Sequence, residues 1–315
     1  MHIALTTLNS GGTKGHSVPL KRLYDAIQPK ADVFLVSQSM DADISLTPQK
    51  LTKSVGGSFS LIDSKNIVEQ FKEYDISVAV FSTFFSPQTV KDMRSEGIRT
   101  AMLTYPLRDS HEHIIAERNL YENFDVVFEY EDYFQMERIP STYVSPLKSN
   151  LHQTSTEGDI LFTYGGGGRP SLDAYVSLVS EVIPQLEQRI TIVDPQEKFN
   201  DLSKHKHIRR VNWVENLESL MSQHSLVISE SGYHTIADLR NSQTPSILIP
   251  GARRIDNQEL RAIYHESTGA GITVLPEESP AVLLKSIEQA AYLQKSAPGF
   301  SYDQVDEVLL DWLNA

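Results

Sequence analysis

Two Rossmann-like α/β domains facing a central cleft are what this sequence predicts, and three observations carry the prediction. Short, β-rich apolar runs alternate with segments of helical spacing along almost the whole chain, the pattern of a parallel sheet with helices on both faces. The alternation comes in two series, separated by the polar stretch KSNLHQTSTEG. Both series open alike, with an apolar strand that runs into glycines and then a helix: HIALTTLNSGGTKGHSVPL in the first, DILFTYGGGGRPSLDAY in the second. Ligands of open α/β sheets collect at the carboxyl ends of the strands, so both glycine loops are expected to look into the cleft.

The first domain, residues 1–150, draws its strands from HIALTT, ADVFLVS, DISVAVFST, IRTAMLT and FDVVFEY, with helices that include residues 18–27 and 66–74. After about Leu147 the polar stretch reads as a linker. The second domain, residues 151–300, takes strands from DILFTY, ITIVD, HIRRVNWV, SLVISES, PSILIP and GITVL, and helices near 171–183, 217–223, 232–241, 258–265 and 281–293. The closing segment, 301–315, is amphipathic over 302–313; it reads as a helix that packs back on the first domain or stays on its own.

With 315 residues and 40% hydrophobic content, the chain is long enough for both domains and bears no compositional mark of disorder. Its formal charge of -13, from 28 basic and 41 acidic residues, opposes nucleic-acid binding and leaves at most transient contact with an anionic membrane. Cysteine is absent, no cationic-then-apolar leader follows Met1, and no apolar run approaches the roughly 20 residues of a membrane helix; a cytoplasmic location is expected.

The stretch VISESGYHTIADLRNSQTPSILIP is the most informative. Its strand ends at Ser229-Glu230-Ser231-Gly232 and a helical pattern begins at once, so backbone N–H groups with Ser231, His234 and Thr235 can meet an anion such as a diphosphate. Asp238, on the next turn, can accept from both hydroxyls of a ribose; the plainer alternative makes Ser231 an N-cap and Asp238 a solvated helix residue. Neither a GxGxxG with its partner acid nor a GxxxxGK[ST] is present, which disfavours nicotinamide dinucleotides and P-loop chemistry.

From Trp213 onward, WVENLESLMSQHSLVISESGYHTIADLRNSQTPSILIPGARRIDNQELRA resembles the donor-binding domain of GT-B glycosyltransferases, family 28 above all, and GGTKGHSVP resembles that family's GGTGGHxxP loop. The resemblance implies roles. Asp238 stands where the family holds the ribose with a glutamate, Val214 where main-chain groups read a uracil edge, and Asp256, Asn257 and Gln258 where side chains contact the transferred sugar. Gly165, Gly166, Gly167 and Gly168 match the loop beneath the phosphates; Gly11, Gly12, Thr13, Lys14 and His16 match the loop at the reaction centre and acceptor. Three positions depart from the pattern. Glu230 sits where relatives often carry a cation, with Arg169, Arg253 or Arg254 as replacements; Lys14 replaces a glycine and Arg261 an asparagine.

His16 is the candidate general base, since inverting transfer needs a group that removes the acceptor's proton and histidine titrates near neutrality. The alternative role is to order the loop or bind acceptor. His113 and Glu117 in HEHIIAE lack a third metal ligand at sensible spacing, and Asp41-Ala42-Asp43, formally a DxD, lies in a polar loop of the wrong domain. KHKHIRR reads as a solvated connection, with contact to an anionic acceptor or lipid surface as its sharper alternative, and Tyr105, Arg108 and Asp109 are expected to line the cleft, Arg108 as an acceptor contact. The expectation is an inverting glycosyltransferase that needs no metal or other cofactor. It would move a sugar from a nucleotide-sugar donor, a UDP-sugar in the first instance, to a lipid-linked, polysaccharide, protein or small-molecule acceptor. The alternatives are a sugar-nucleotide hydrolase or epimerase of the same fold and a non-catalytic nucleotide-sugar binding subunit.

Overall fold

The fold was read from a computed structural model, which describes every residue except 8–16, 38–41, 46–50, 55–56, 61–63, 83–86, 105–120, 134–140, 149–158, 165–169, 253–255 and 294–296. The chain divides into two compact units, Met1–Leu147 together with Ser301–Ala315, and Lys148–Phe300.

The first unit runs β1 (His2–Thr7), α1 (Ser17–Ile27), β2 (Asp32–Ser37), β3 (Ile44–Ser45), β4 (Leu51–Ser54), β5 (Gly57–Ser60), α2 (Ser64–Glu73), β6 (Ile76–Ser82), α3 (Pro87–Ser95), β7 (Arg99–Thr104), β8 (Val126–Tyr130) and β9 (Thr142–Val144). Seven of these strands form one parallel sheet in the order β3-β2-β1-β6-β7-β8-β9, and β4 pairs with β5 as a separate antiparallel hairpin. The apolar runs become central strands because helices cover the sheet: Ile3 to Thr7 are all buried, and Phe71, Val90 and Met93 from α2 and α3 pack with Ala4, Ala79, Phe81 and Met102. The strand order reverses between β1 and β6, so β1 ends at the switch point of this sheet.

The second unit repeats the plan with β10 (Ile160–Thr163), α4 (Pro170–Val182), β11 (Ile190–Val193), β12 (Ile208–Val211), α5 (Leu217–Ser222), β13 (Leu226–Ser229), α6 (Tyr233–Ser242), β14 (Ser246–Leu248), α7 (Gln258–Ser267), β15 (Gly271–Thr273) and α8 (Pro280–Ala290). Its six strands are all parallel, in the order β12-β11-β10-β13-β14-β15, and the order reverses between β10 and β13. Thr163 and Ser229 are register partners at the ends of those two strands. Strands β10 and β13 therefore end side by side, at the switch point. Gly232 caps α6 rather than opening it, and α8 stops at Ala290, short of the expected residue 293.

A last helix, α9 (Val305–Asn314), belongs to the first unit. Val305, Leu309 and Leu313 form its buried stripe. Arg99 donates to the carbonyls of Trp312 (2.5 Å) and Leu313 (3.3 Å), a cation at the helix carboxyl end, and its guanidinium lies 4.3 Å from the centre of the Trp312 ring. Ahead of α9, Glu131 accepts from the N–H groups of Ser301 and Tyr302, at 2.6 and 3.2 Å, and Ser145 exchanges main-chain bonds with Asp303 and Val305.

Candidate functional site

Beyond β13 and β14 the second unit brings two helix amino termini together. The first N–H groups of a helix have no intrahelical acceptor and carry its positive dipole end. Helix α6 begins its own bonding at Ile236, whose N–H donates to the Gly232 carbonyl at 3.0 Å. Helix α7 is capped by Asn257, whose Oδ1 accepts from the Leu260 N–H at 3.2 Å. Ser231 and Gln258 join the two starts: the fully buried Ser231 Oγ donates to the Gln258 carbonyl at 2.7 Å. The Gln258 side chain is buried as well, and its Oε1 accepts from the Gly251 N–H at 2.8 Å, fixing the turn after β14.

Arg261 holds this junction from beneath. It is completely buried, and its Nη1 donates both to Asp256 Oδ1 (2.7 Å) and to the Ser231 carbonyl (3.1 Å), while the guanidinium stacks 5.7 Å from the Tyr233 ring centre. The pair compensates a fully buried guanidinium, while Asp256 remains partly exposed. A position that departs from the family pattern thus has a definite task, which ties the Asp-Asn-Gln segment to the Ser-Gly turn. Asp256 is correspondingly engaged through one carboxylate oxygen, and Asn257 through its cap.

The ends of β10 and β13 are also braced. Tyr175 on α4 is buried and lies within hydrogen-bond distance of the Thr163 and Ile228 carbonyls, at 2.9 and 3.1 Å, where β10 and β13 part. Burial pushes its hydroxyl well above the ordinary range, and the carboxylate of Glu230 adds to the shift. Glu230 is itself buried, with Ser229 Oγ donating to its carbonyl at 2.8 Å. Tyr164, immediately before the glycines, donates to Asp194; burial and this bond raise its hydroxyl. Asp194 is fully buried at the end of β11, accepts from the Lys198 and Phe199 N–H groups at 2.8 and 2.9 Å, and faces Arg210 at 3.3 Å. Sequence reasoning missed Asp194; the signal was an acid directly after an apolar strand, in ITIVD.

Among the predicted residues, Ser231, Gly232, His234, Thr235 and Asp238 fall on the α6 start, and Asp256, Asn257 and Gln258 on the α7 start. Asp238 is buried, which removes the reading of a solvated helix residue. Val214 lies half-buried between β12 and α5, and among the described residues nothing bonds to its main-chain amide or carbonyl. Gly11, Gly12, Thr13, Lys14, His16, Asp41, Tyr105, Arg108, Asp109, His113, Glu117, Gly165, Gly166, Gly167, Gly168, Arg169, Arg253 and Arg254 lie outside the described residues. Asp43 accepts from the Leu35 N–H at 2.8 Å, a loop staple, and Arg210 of KHKHIRR turns inward to Asp194. Among the described residues no three His, Asp or Glu side chains form a metal-binding group, and no helix is long and apolar enough to cross a membrane.

The comparisons agree with this architecture. Residues 165–297 match the glycosyltransferase family 28 C-terminal domain. The UDP-N-acetylglucosamine--N-acetylmuramyl-(pentapeptide) pyrophosphoryl-undecaprenol N-acetylglucosamine transferase of Exiguobacterium sibiricum is 28% identical over 170 residues, 48% of this chain and 46% of the relative. The match thus spans about half the length of that curated relative. MurG of Acinetobacter baumannii superposes with a TM-score of 0.61 at 14% identity, covering 99% of both chains. The glycosyltransferase VinC in complex with dTDP gives 0.67 at 10% identity over 100% of this chain and 99% of that one, and the spinosyn rhamnosyltransferase SpnG gives 0.67 at 12% over the whole of both. The chain has the GT-B fold and resembles glycosyltransferase family 28.

Proposed function

We propose that this protein is an inverting glycosyltransferase that binds a nucleotide sugar in its second unit and transfers the sugar to an acceptor hydroxyl without a metal ion. The observation that carries the proposal is the junction of the α6 and α7 amino termini beside the switch point, inside the segment that matches the family 28 C-terminal domain. Cleavage of the donor leaves negative charge on a diphosphate. Backbone amides at Gly166, Gly167 and Gly232, the side chains of His234 and Thr235, and the α6 dipole are arranged in sequence to stabilise that charge. Asp238 is assigned to the ribose hydroxyls and the open main chain of Val214 to the base edge. The first unit is assigned the acceptor, through Gly11, Gly12, Thr13, Lys14 and Arg108. There His16 takes the hydroxyl proton as the acceptor oxygen attacks the anomeric carbon and the diphosphate departs.

The relatives direct the choice of nucleotide: one is named for UDP-N-acetylglucosamine and another was solved with dTDP. Calorimetric titration with UDP, dTDP, GDP and ADP is expected to show selective binding of one, weakened about ten- to a hundredfold in Asp238→Ala. No binding by any of the four would defeat the assignment. Turnover is expected to survive EDTA; its loss would remove the metal-free mechanism. Buried Glu230 favours one alternative, a non-catalytic nucleotide-sugar binding subunit, which tight donor binding without turnover under any acceptor mixture would indicate.

A further inference from the structure

Resting on the nucleotide-sugar reading above, we infer that Gln258 is a ligand of the donor's diphosphate rather than a reader of the sugar's hydroxyls. The amide has only one orientation that satisfies its neighbours. The Gly251 N–H requires an acceptor, so Oε1 faces it at 2.8 Å and Nε2 must point the other way. That direction leads to the start of α6: a Cβ built on Gly232 would lie 3.6 Å from Gln258 Nε2 and 3.9 Å from Thr235 Oγ1, with no other atom nearer. Gln258 is only 4% exposed, and among the described residues its Nε2 has no hydrogen-bond partner. Although the residue is nearly buried, Nε2 itself is not sealed from solvent, so an acceptor arriving beside the helix amino terminus can reach it.

The space in front of Gly232 is therefore bordered by an amide N–H₂, a hydroxyl and the positive end of α6, with bare backbone where a side chain would stand. Its acids do not oppose an anion equally. Asp256 is neutralised by Arg261, whose charge lies beneath the same turn, whereas Glu230 adds a buried carboxylate in the preceding loop. Donors on every bordering group suit a phosphate oxygen, which only accepts. A sugar hydroxyl in the same space also accepts from Nε2, but among these groups only the Thr235 oxygen could take its proton.

The sugar and phosphate roles separate cleanly by titration. Gln258→Glu retains an oxygen for the Gly251 N–H but replaces the donor, and Gln258→Ala removes the donor without adding charge; thermal unfolding checks that both variants are folded. UDP and dTDP are the probes, each compared with its nucleotide sugar. The expected result is a loss of about ten- to a hundredfold in diphosphate affinity in both variants, with the same factor for the nucleotide sugar. Unchanged UDP and dTDP affinity in folded Gln258→Ala, with weakening confined to the nucleotide sugar, would overturn the inference and return Gln258 to the sugar. Failure of the unsubstituted protein to bind either nucleotide would instead strike the nucleotide-sugar reading itself.

Discussion

The two units share one topology and differ in what their buried polar groups hold. In the second unit Asp194, Ser231, Gln258 and Arg261 tie the loops at the carboxyl edge of the sheet to one another. In the first unit Glu131, just past β8, and Arg99, at the start of β7, hold the returning chain and α9 instead. On the proposed reading, the edge of the second unit is prearranged for a constant ligand, as a nucleotide would be. On the same reading the first unit supplies the acceptor side.

The sharpest way to break this contrast is His16→Ala. The substitution is expected to lower turnover by about a hundredfold or more while leaving nucleotide affinity unchanged by calorimetry. Near-normal turnover would deny the first unit its chemical role. Arg261→Met tests the other side. It removes the partner of Asp256, which keeps some solvent contact, and a loss of roughly 1–3 kcal/mol in urea unfolding is expected, with weaker nucleotide binding in whatever remains folded. Retention of both would show that the junction does not depend on its buried ion pair.

Acid should also find the second unit first. His265, fully buried on α7, sits 2.9 Å from Ser246 Oγ, and burial, aided by the charge of Arg240, lowers it to about 4. The folded value lies below the ordinary one, so the unfolded chain takes the proton first. This contribution is complete above about pH 6.5 and is lost as pH falls towards 4, by roughly 3 kcal/mol. Urea midpoints across that window, for the parent and for His265→Leu, are expected to show a flatter acid limb in the variant. The smallest effect belongs to Asn257→Ala: removing the α7 cap is expected to cost about 1 kcal/mol in urea unfolding and to weaken nucleotide binding only modestly.

Much of the fold was legible because its central strands are buried on both faces, which leaves continuous apolar runs such as ISVAVFS in β6 and ILFT in β10. Elements without that signature escaped. The β4–β5 hairpin lies in the polar run LTKSVGGSFS, and β9 has three residues at a sheet edge. At the site, the Ser-Gly helix start was readable because strand end, glycine and helix are contiguous. Arg261 was visible only as a departure, because its partners Ser231 and Tyr233 come from another element and nothing local distinguishes it from a solvated helix arginine. Gly271 hid in the same way: a Cβ there would stand 2.5 Å from the buried His265 ring, a constraint imposed entirely by tertiary packing.

The route of the chain bears on how the protein can be cut. It leaves the first unit after Leu147 and re-enters it at Ser301. A gene fragment ending at codon 147 would therefore encode a sheet without α9, exposing the seat of Val305, Leu309 and Leu313 and leaving Arg99 without its carbonyls. The second unit is the continuous one, so residues 148–300 can be expressed as a single piece. For the first unit the corresponding recombinant is a splice, residues 1–147 joined to 301–315 through a short linker.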